Sequence, residues 1–508
     1  MNFKRLVVQL VLVSQVLSAP LLRAEGLPDL GDVADASLSE PQERNIGKRI
    51  MLEIRADRTY IDDPELSAYI NTLGGRLVSA SRGTTNDNRR DFEFFLIGED
   101  SINAFALPGG FIGVHAGLVL TSTTEGELSG VLSHEIAHVL QRHQARGIDS
   151  QKGSTLVQLL GMAVAVLAAR SNSSSGGQAA EAAIATSAAL QYQSQLNYSR
   201  DFEREADRLG IQVLTRAGYD ATGMVGFFER MLRANRHNEG KTPGYLLTHP
   251  LTTERIADMQ NRVEALKTEA KVDTGDSQDY RYARAKLRVM TMGANDAIGF
   301  FRTAVAERTV LRNRADVYGL ALALARSRDY AGAERELATI RASGPMNPWI
   351  ENLAAEIQAG QRRWPEALRI YRAGVQAFPQ HRALFYGSID ALYESGQVDA
   401  ALAQLNEQLK NIQDDPKLFE LAANGYERKN KRMAQHRAIG EAYFRRGNLL
   451  GAVEQLELAA KAKDGDFYEI SSTEARLREF KTAFRNRQLL PGEKKDPERE
   501  PRESKGLL

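Results

Sequence analysis

The segment His134-Glu135-Ile136-Ala137-His138 has the H-E-x-x-H spacing of a metal-dependent hydrolase centre. Four residues turn a helix by about 400°, so His134 and His138 lie one turn apart on a single face. Two imidazoles so placed can bind one metal ion. Glu135 flanks them, close enough to reach a metal-bound water rather than the metal. Zinc suits histidine and carboxylate ligands and lowers its water's pKa to about 7. Glu135 could then take the proton from that water and pass it to a leaving amine.

A third ligand is required. The chain contains no cysteine, so thiolate ligands, cysteine nucleophiles and disulfides are excluded. Downstream lies Arg200-Asp-Phe-Glu203-Arg-Glu205-Ala206-Asp207, in a helical stretch. Glu203 and Asp207 are four apart and share a face. One can ligate zinc while the other accepts a hydrogen bond from a ligand histidine. Glu205 points away from that face. His249 precedes Pro250, which biases its backbone towards an extended form. It could donate to the oxyanion of a tetrahedral intermediate, occupy a fourth zinc position and hold the site off, or be structural. His143 lies nine residues from His134, half a turn round the helix, on the side of Leu132, Ile136 and Val139. It reads as packed or hydrogen-bonded, not as a ligand. His115, His237, His381 and His436 have no metal-ligand spacing.

The elements that must position these residues are legible in outline. Pro64 to Ala80 reads as a helix with Leu66, Ile70, Leu73 and Leu77 on one face. Strands are expected at Phe92 to Ile97, Asn103 to Leu107 and Phe111 to His115. Pro108-Gly109-Gly110 between the last two suggests a hairpin. A long helix should run from about Ser122 to His143, with Ser122 and Glu125 at capping-box spacing. Residues 155–169 are almost wholly apolar and 171–177 are rich in Ser and Gly. With Ala179 to Tyr192 they read as a helical hairpin over the active site, too short for a membrane span.

From about residue 290 the texture becomes Ala- and Leu-rich with a period. Tyr330, Trp364 and Val398 are 34 apart; so are Ala333, Ala367 and Ala401, and Leu337, Tyr371 and Leu405. Leu449, Ala452 and Leu456 repeat the set 51 residues on, and Ala297 with Phe301 is a weaker copy upstream. A 34-residue period with small residues at fixed offsets resembles the tetratricopeptide repeat, which stacks into a solenoid with a concave binding surface. At the other end, Lys4 and Arg5 precede an apolar run from Leu6 to Ala19, the pattern of a cleavable secretory signal, with cleavage expected after Ala24.

The 508 residues suggest two or three domains. With 43% hydrophobic and 26% charged residues the composition is that of a soluble globular protein. A net charge of +1 offers no global field for nucleic acid. The expected divisions are a signal peptide at 1–24, an extended lead-in at 25–48, a metalloprotease domain at 49–270, a repeat domain at 271–487 and a disordered charged tail at 488–508.

His134-Glu135-x-x-His138 followed by Glu203-x-x-Ala206-Asp207 resembles the HtpX-like family of zinc metallopeptidases. Asn103-Ala-Phe-Ala-Leu-Pro-Gly-Gly110 looks like that family's strand before the active helix, and Thr248-His249-Pro250 with Arg255-Ile256 like another of its signatures. The resemblance implies one Zn2+ per chain held by His134, His138 and Glu203, with Glu135 as general base and acid and Asp207 orienting a ligand histidine. It implies an α+β zincin-type metalloprotease domain, mostly helical with a small sheet, here followed by an all-α tetratricopeptide-repeat solenoid. It also implies that Asn103 to Leu107 pairs as an edge strand with an extended substrate. The whole layout implies a periplasmic endopeptidase that degrades misassembled or unfolded outer-membrane proteins and assists their assembly. The repeats would select the client or dock on the outer-membrane assembly machinery. No nucleic-acid partner and no integral membrane span in the mature chain are expected. The alternative is a repeat-based chaperone or adaptor with low or gated proteolysis.

Overall fold

The computed structural model describes residues 39–82, 90–149, 200–237, 243–266, 276–307 and 314–486. The expected signal peptide, the apolar hairpin at 155–192 and the charged tail lie outside them. Helix α1 (Glu40–Ala56) is the first described helix, with Ser39 and Gln42 forming its capping box. Residues 40–48 are therefore helical, which corrects the extended lead-in expected there. The cause is an apolar face at Ile46, Ile50 and Ile54, each about 1% exposed or less, packed on the sheet. Helix α2 (Pro64–Ser81) follows, capped by Asp63, whose carboxylate accepts from Glu65 N and Leu66 N.

Three strands, β1 (Glu93–Ile97), β2 (Ala104–Leu107) and β3 (Phe111–His115), form a sheet of order β1-β3-β2. β3 runs parallel to β1 and antiparallel to β2, so the expected hairpin is present and β2 stands at an edge. Its turn needs glycine. Gly109 and Gly110 have φ of 78° and 84°, and a Cβ on Gly110 would lie 2.3 Å from Asp91 O.

Helix α3 (Ala116–Thr121) leads to α4 (Glu125–Leu140). The cap of α4 is Thr124, which accepts from Glu127 N; Ser122 instead donates to Leu118 O at the end of α3. The Ser122–Glu125 box does not form; Thr124 caps the helix instead, and the Glu127 side chain accepts from Thr123 N. α5 (His143–Asp149), α6 (Arg200–Arg216), α7 (Thr222–His237), α8 (Gly244–Thr248) and α9 (Thr253–Leu266) complete this half.

Twelve further described helices follow: α10 (Gln278–Thr291), α11 (Ala294–Ala306), α12 (Arg314–Arg326), α13 (Tyr330–Ala342), α14 (Pro348–Gly360), α15 (Trp364–Ala377), α16 (Arg382–Glu394), α17 (Val398–Asn411), α18 (Pro416–Arg428), α19 (Arg432–Arg445), α20 (Leu449–Ala462) and α21 (Phe467–Arg485). Tyr330, Trp364, Val398 and Leu449, the first residues of the sequence repeat, each open a helix. Ala333, Ala367, Ala401 and Ala452 have no exposed surface, because neighbouring helices cross there. A larger side chain at such a crossing would cost about 1–3 kcal/mol in strain.

The two halves share a core. One continuous buried cluster runs from Ile61 on the catalytic side to Ala391 in the repeats. α10 is the bolt between them. Its Tyr280 hydroxyl donates to Ser122 O at 2.8 Å, Arg284 donates to Leu120 O, and Lys286 Nζ lies 2.5 Å from Glu65 Oε2. Among the described residues no helix is long and apolar enough to cross a membrane.

Candidate active site

α4 carries the paired histidines into the middle of the catalytic half, and small residues let its neighbours come close. A Cβ on Gly130 would lie 2.6 Å from Met224 Cβ of α7, and one on Gly210 of α6 would lie 3.2 Å from His134 N. The close approach of α6 sets Glu203 and Asp207, one turn apart, against His134 and His138. α8 delivers His249 from the far side, its N–H bonded to Tyr245 O at 2.8 Å. None of His134, Glu135, His138, Glu203, Asp207 and His249 is more than 2% exposed.

The six residues expected from the sequence come together. His134 Nε2 and His138 Nε2 are 3.0 Å apart. Glu203 Oε1 is 3.4 Å from His138 Nε2, and Glu203 Oε2 is 3.6 Å from His134 Nε2. His249 Nδ1 joins them, 3.4 Å from His134 Nε2 and 3.0 Å from Glu203 Oε1. One ligand atom from each of His134, His138, Glu203 and His249 lies within 4.8 Å of the others. Glu135 stands outside this group, with Oε1 3.5 Å from His249 Nε2. Three imidazole nitrogens and a carboxylate converging in a buried site form a donor set that fits zinc. Two imidazole Nε2 atoms facing each other at that distance without a cation would need a proton between them.

Charged groups around the cluster set its electrostatics. Asp207 Oδ1 lies 3.0 Å from His134 Nδ1, which turns Nε2 of that ring inwards. Arg255 grips Asp207 with Nε and Nη2, each at 2.8 Å, and reaches Glu203 Oε2 with Nη1 at 2.7 Å. Burial would raise the Glu203 carboxyl, but the surrounding histidines outweigh it and hold it well below the usual carboxylate range. Burial opposes ionisation of Asp207 too, yet His134 and Arg255 keep it low. Burial, outweighing the neighbouring His249 and His134, pushes the Glu135 carboxyl up from its ordinary value.

Two contacts close the edge of β2. His115 N donates to Asn103 O, so in this antiparallel register Ile102, Ala104 and Ala106 turn their peptide groups to the free edge. Tyr245 N of α8 donates to Ile102 O at 3.2 Å, and the Gln144 side chain donates to Ala106 O. The Ala104 peptide groups lie between these two contacts.

His143 is buried and hydrogen-bonded as expected, but its partner is a surprise. α4 ends at Leu140, three residues short of the expected limit, and Arg142 has φ 53°. The turn swings His143 back until its Nδ1 lies 2.8 Å from His138 Nδ1. Glu205, set aside in the sequence because it points away from the Glu203 face, meets His143 Nε2 at 3.1 Å. Burial, outweighing Glu205, pulls His143 down to about 4 and leaves the ring neutral. Arg255 and Tyr245 had no assigned role either. A signal for Arg255 existed: two acids destined for burial on α6 require a cation.

The profile of Peptidase family M48 matches residues 64–263, and that of a tetratricopeptide repeat matches residues 358–425. The chain is 33% identical over 449 residues to the Beta-barrel assembly-enhancing protease of Escherichia coli K12, covering 88% of this chain and 90% of that one. It is 32% identical over 469 residues to the protein of the same name from Yersinia pestis, covering 91% and 93%. The Mitochondrial metalloendopeptidase OMA1 of Schizosaccharomyces pombe is 30% identical over 233 residues, covering 46% of this chain and 62% of its own.

Proposed function

The chain is a metallopeptidase of family M48 that carries tetratricopeptide repeats, and on that premise we propose a zinc endopeptidase with one Zn2+ per chain. His134, His138 and Glu203 would hold the ion, with His249 as a fourth donor in the closed arrangement. Zinc bound there would polarise the scissile carbonyl and acidify the attacking water. Glu135 would take a proton from the attacking water as the water oxygen bonds to the carbonyl carbon. It would then pass that proton to the leaving amine as the C–N bond breaks. Asp207 holds the His134 ring, and Arg255 holds Asp207 and Glu203. His249 stands between the donor cluster and Glu135, so it has to withdraw before a peptide carbonyl can enter. The supporting observation is the convergence of four donor atoms beside the buried carboxylate of Glu135, whose Oε1 has no hydrogen-bond partner among the described residues.

Its substrates, on this reading, are unfolded or misassembled outer-membrane proteins in the periplasm. Two relatives are named Beta-barrel assembly-enhancing protease, which favours β-barrel proteins as clients. An export signal at 1–24, a catalytic unit at 49–270 extended to Glu40 by α1, and a repeat unit at 271–487 complete the reading. The repeats would present clients or dock on the barrel-assembly machinery. The contacts of His249 with the donor cluster, and of Tyr245 and Gln144 with β2, favour a second, compatible activity. In the closed arrangement the repeat surface would hold clients as a chaperone or adaptor without cutting them.

The test is cleavage of an unfolded protein by wild type beside Glu135→Gln. Zinc-dependent cleavage that disappears in the variant, at equal zinc content, is expected. Equal cleavage by both proteins would refute the mechanism.

A further inference from the structure

His138 lies against a second imidazole whose far side is fixed by a carboxylate. His138 Nδ1 and His143 Nδ1 are 2.8 Å apart, His143 Nε2 and Glu205 Oε2 are 3.1 Å apart, and Arg146 Nη1 steadies the same carboxylate oxygen at 2.9 Å. The His143 ring stacks on Phe202, 4.5 Å between centroids and 6° between planes, and has no exposed surface. Its position is costly to hold. Arg142, a residue with a Cβ, sits in the left-handed region at φ 53°. Its guanidinium is buried against Glu43 of α1, with Nε and Nη2 donating to Oε1 at 3.2 and 2.9 Å. A salt bridge 99 residues apart in sequence thus stabilises the turn that delivers His143.

Hydrogen-bond logic applied to these contacts points to one arrangement. Two neutral imidazoles meeting through their Nδ1 atoms need one donor and one acceptor. Were His143 the donor, its Nε2 would carry a lone pair, facing a carboxylate lone pair at 3.1 Å. Glu205 excludes that. His143 therefore gives its Nε2 proton to Glu205 and accepts at Nδ1. His138 must then carry its proton on Nδ1, which leaves Nε2 bare towards His134, Glu203 and His249. We propose that Glu205, acting through His143, selects the metal-binding tautomer of His138 and aims that ring, making His143 and Glu205 positioning residues of the metal centre. Asp207 does this directly for His134; His138 is served by a relay of two residues. Partners of this kind are worth about 10–100-fold in metal affinity.

The inference rests on His138 being a ligand, and the experiment separates the two ideas. Zinc affinity is measured by competition with a chromophoric chelator, alongside the melting temperature of the zinc-free protein. His138→Ala tests the ligand reading and is expected to lose zinc. His143→Phe keeps the stack on Phe202 and removes the acceptor; zinc should weaken about 10–100-fold with the zinc-free melting temperature unchanged. His143→Asn restores an acceptor near the Nδ1 position and should recover affinity to within about threefold of wild type. Glu205→Ala, at a half-exposed position, should weaken zinc less than His143→Phe. Wild-type affinity in both His143→Phe and Glu205→Ala would overturn the relay while leaving His138 a ligand. Equal losses in His143→Phe and His143→Asn would also overturn it, because packing would then be the cause. Wild-type affinity in His138→Ala would remove the ligand reading and the relay with it.

Discussion

Among the described residues, the buried acids at the candidate centre and those at the joint with the repeats are handled in opposite ways. At the candidate centre, Glu203 turns towards three histidines and keeps a side available to a cation from outside, while Arg255 neutralises it from behind. At the joint between the catalytic half and the repeats, the chain supplies the cation itself. Lys286 of α10 lies 2.7 Å from Asp63 Oδ2 and 2.5 Å from Glu65 Oε2. Two carboxyls share one ammonium there, and Glu65 is only 2% exposed. Burial, outweighing the attraction of Lys286, pushes Glu65 up to about 8. Burial opposes the ammonium as well, but Glu65 and Asp63 outweigh it and hold Lys286 charged. The first cluster is arranged for chemistry and the second for holding two halves together. Substitutions should separate activity from stability along that line.

The largest contrast is expected at Glu203. Glu203→Ala should abolish zinc binding and reduce cleavage by about 10³-fold or more, read by metal analysis and a protease assay. Chelation of the wild type should do the same reversibly. It should also lower the melting temperature, since zinc at 1,000 times its dissociation constant would add about 4 kcal/mol to stability. At the joint the loss should be structural. Lys286→Ala leaves acids buried without their cation and should cost about 3–5 kcal/mol in urea unfolding, with zinc per chain unchanged. A smaller effect sharpens the comparison. The folded pKa of Glu65 lies above its unfolded value of 4.5, so the folded state binds the extra proton. Its contribution is present below pH 4.5 and is lost as pH rises towards 8, by at most about 1.4 kcal/mol per pH unit. Glu65→Gln should flatten that slope; an unchanged slope would mean that another group titrates. The smallest effect is expected at the exposed pair of Lys410 and Glu407, 2.6 Å apart, where Glu407→Gln should move stability by less than about 0.5 kcal/mol.

What could be read in the sequence followed short-range geometry. His134 and His138, and Glu203 and Asp207, were visible because a helix places residues four apart on one face. The repeat was visible because each crossing of neighbouring helices needs its own small residue, at Ala333, Ala367, Ala401 and Ala452. The hairpin at Gly109 and Gly110 was visible because positive φ has a sequence signature. The contacts that were hidden join distant residues. His143 was expected half a turn away from the ligands because an unbroken helix was assumed to reach it. The left-handed Arg142 that redirects it depends on Glu43, which no local pattern announces. Glu65 and Lys286 are 221 residues apart, and nothing near either one marks the other. The cap of α4 moved from Ser122 to Thr124 because α3 runs to Thr121, and the Ser122 hydroxyl is taken up at its end.

The central claim is that His134, His138, Glu203 and His249 form one zinc centre closed by His249. X-ray absorption at the zinc edge, on full-length Glu135→Gln protein loaded with one equivalent of zinc, tests it most directly. Three imidazole nitrogens and one or two carboxylate oxygens are expected, falling to two imidazoles in the Glu135→Gln/His249→Ala double variant. A shell of oxygen alone, or an imidazole count that does not change when His249 is removed, would contradict the account.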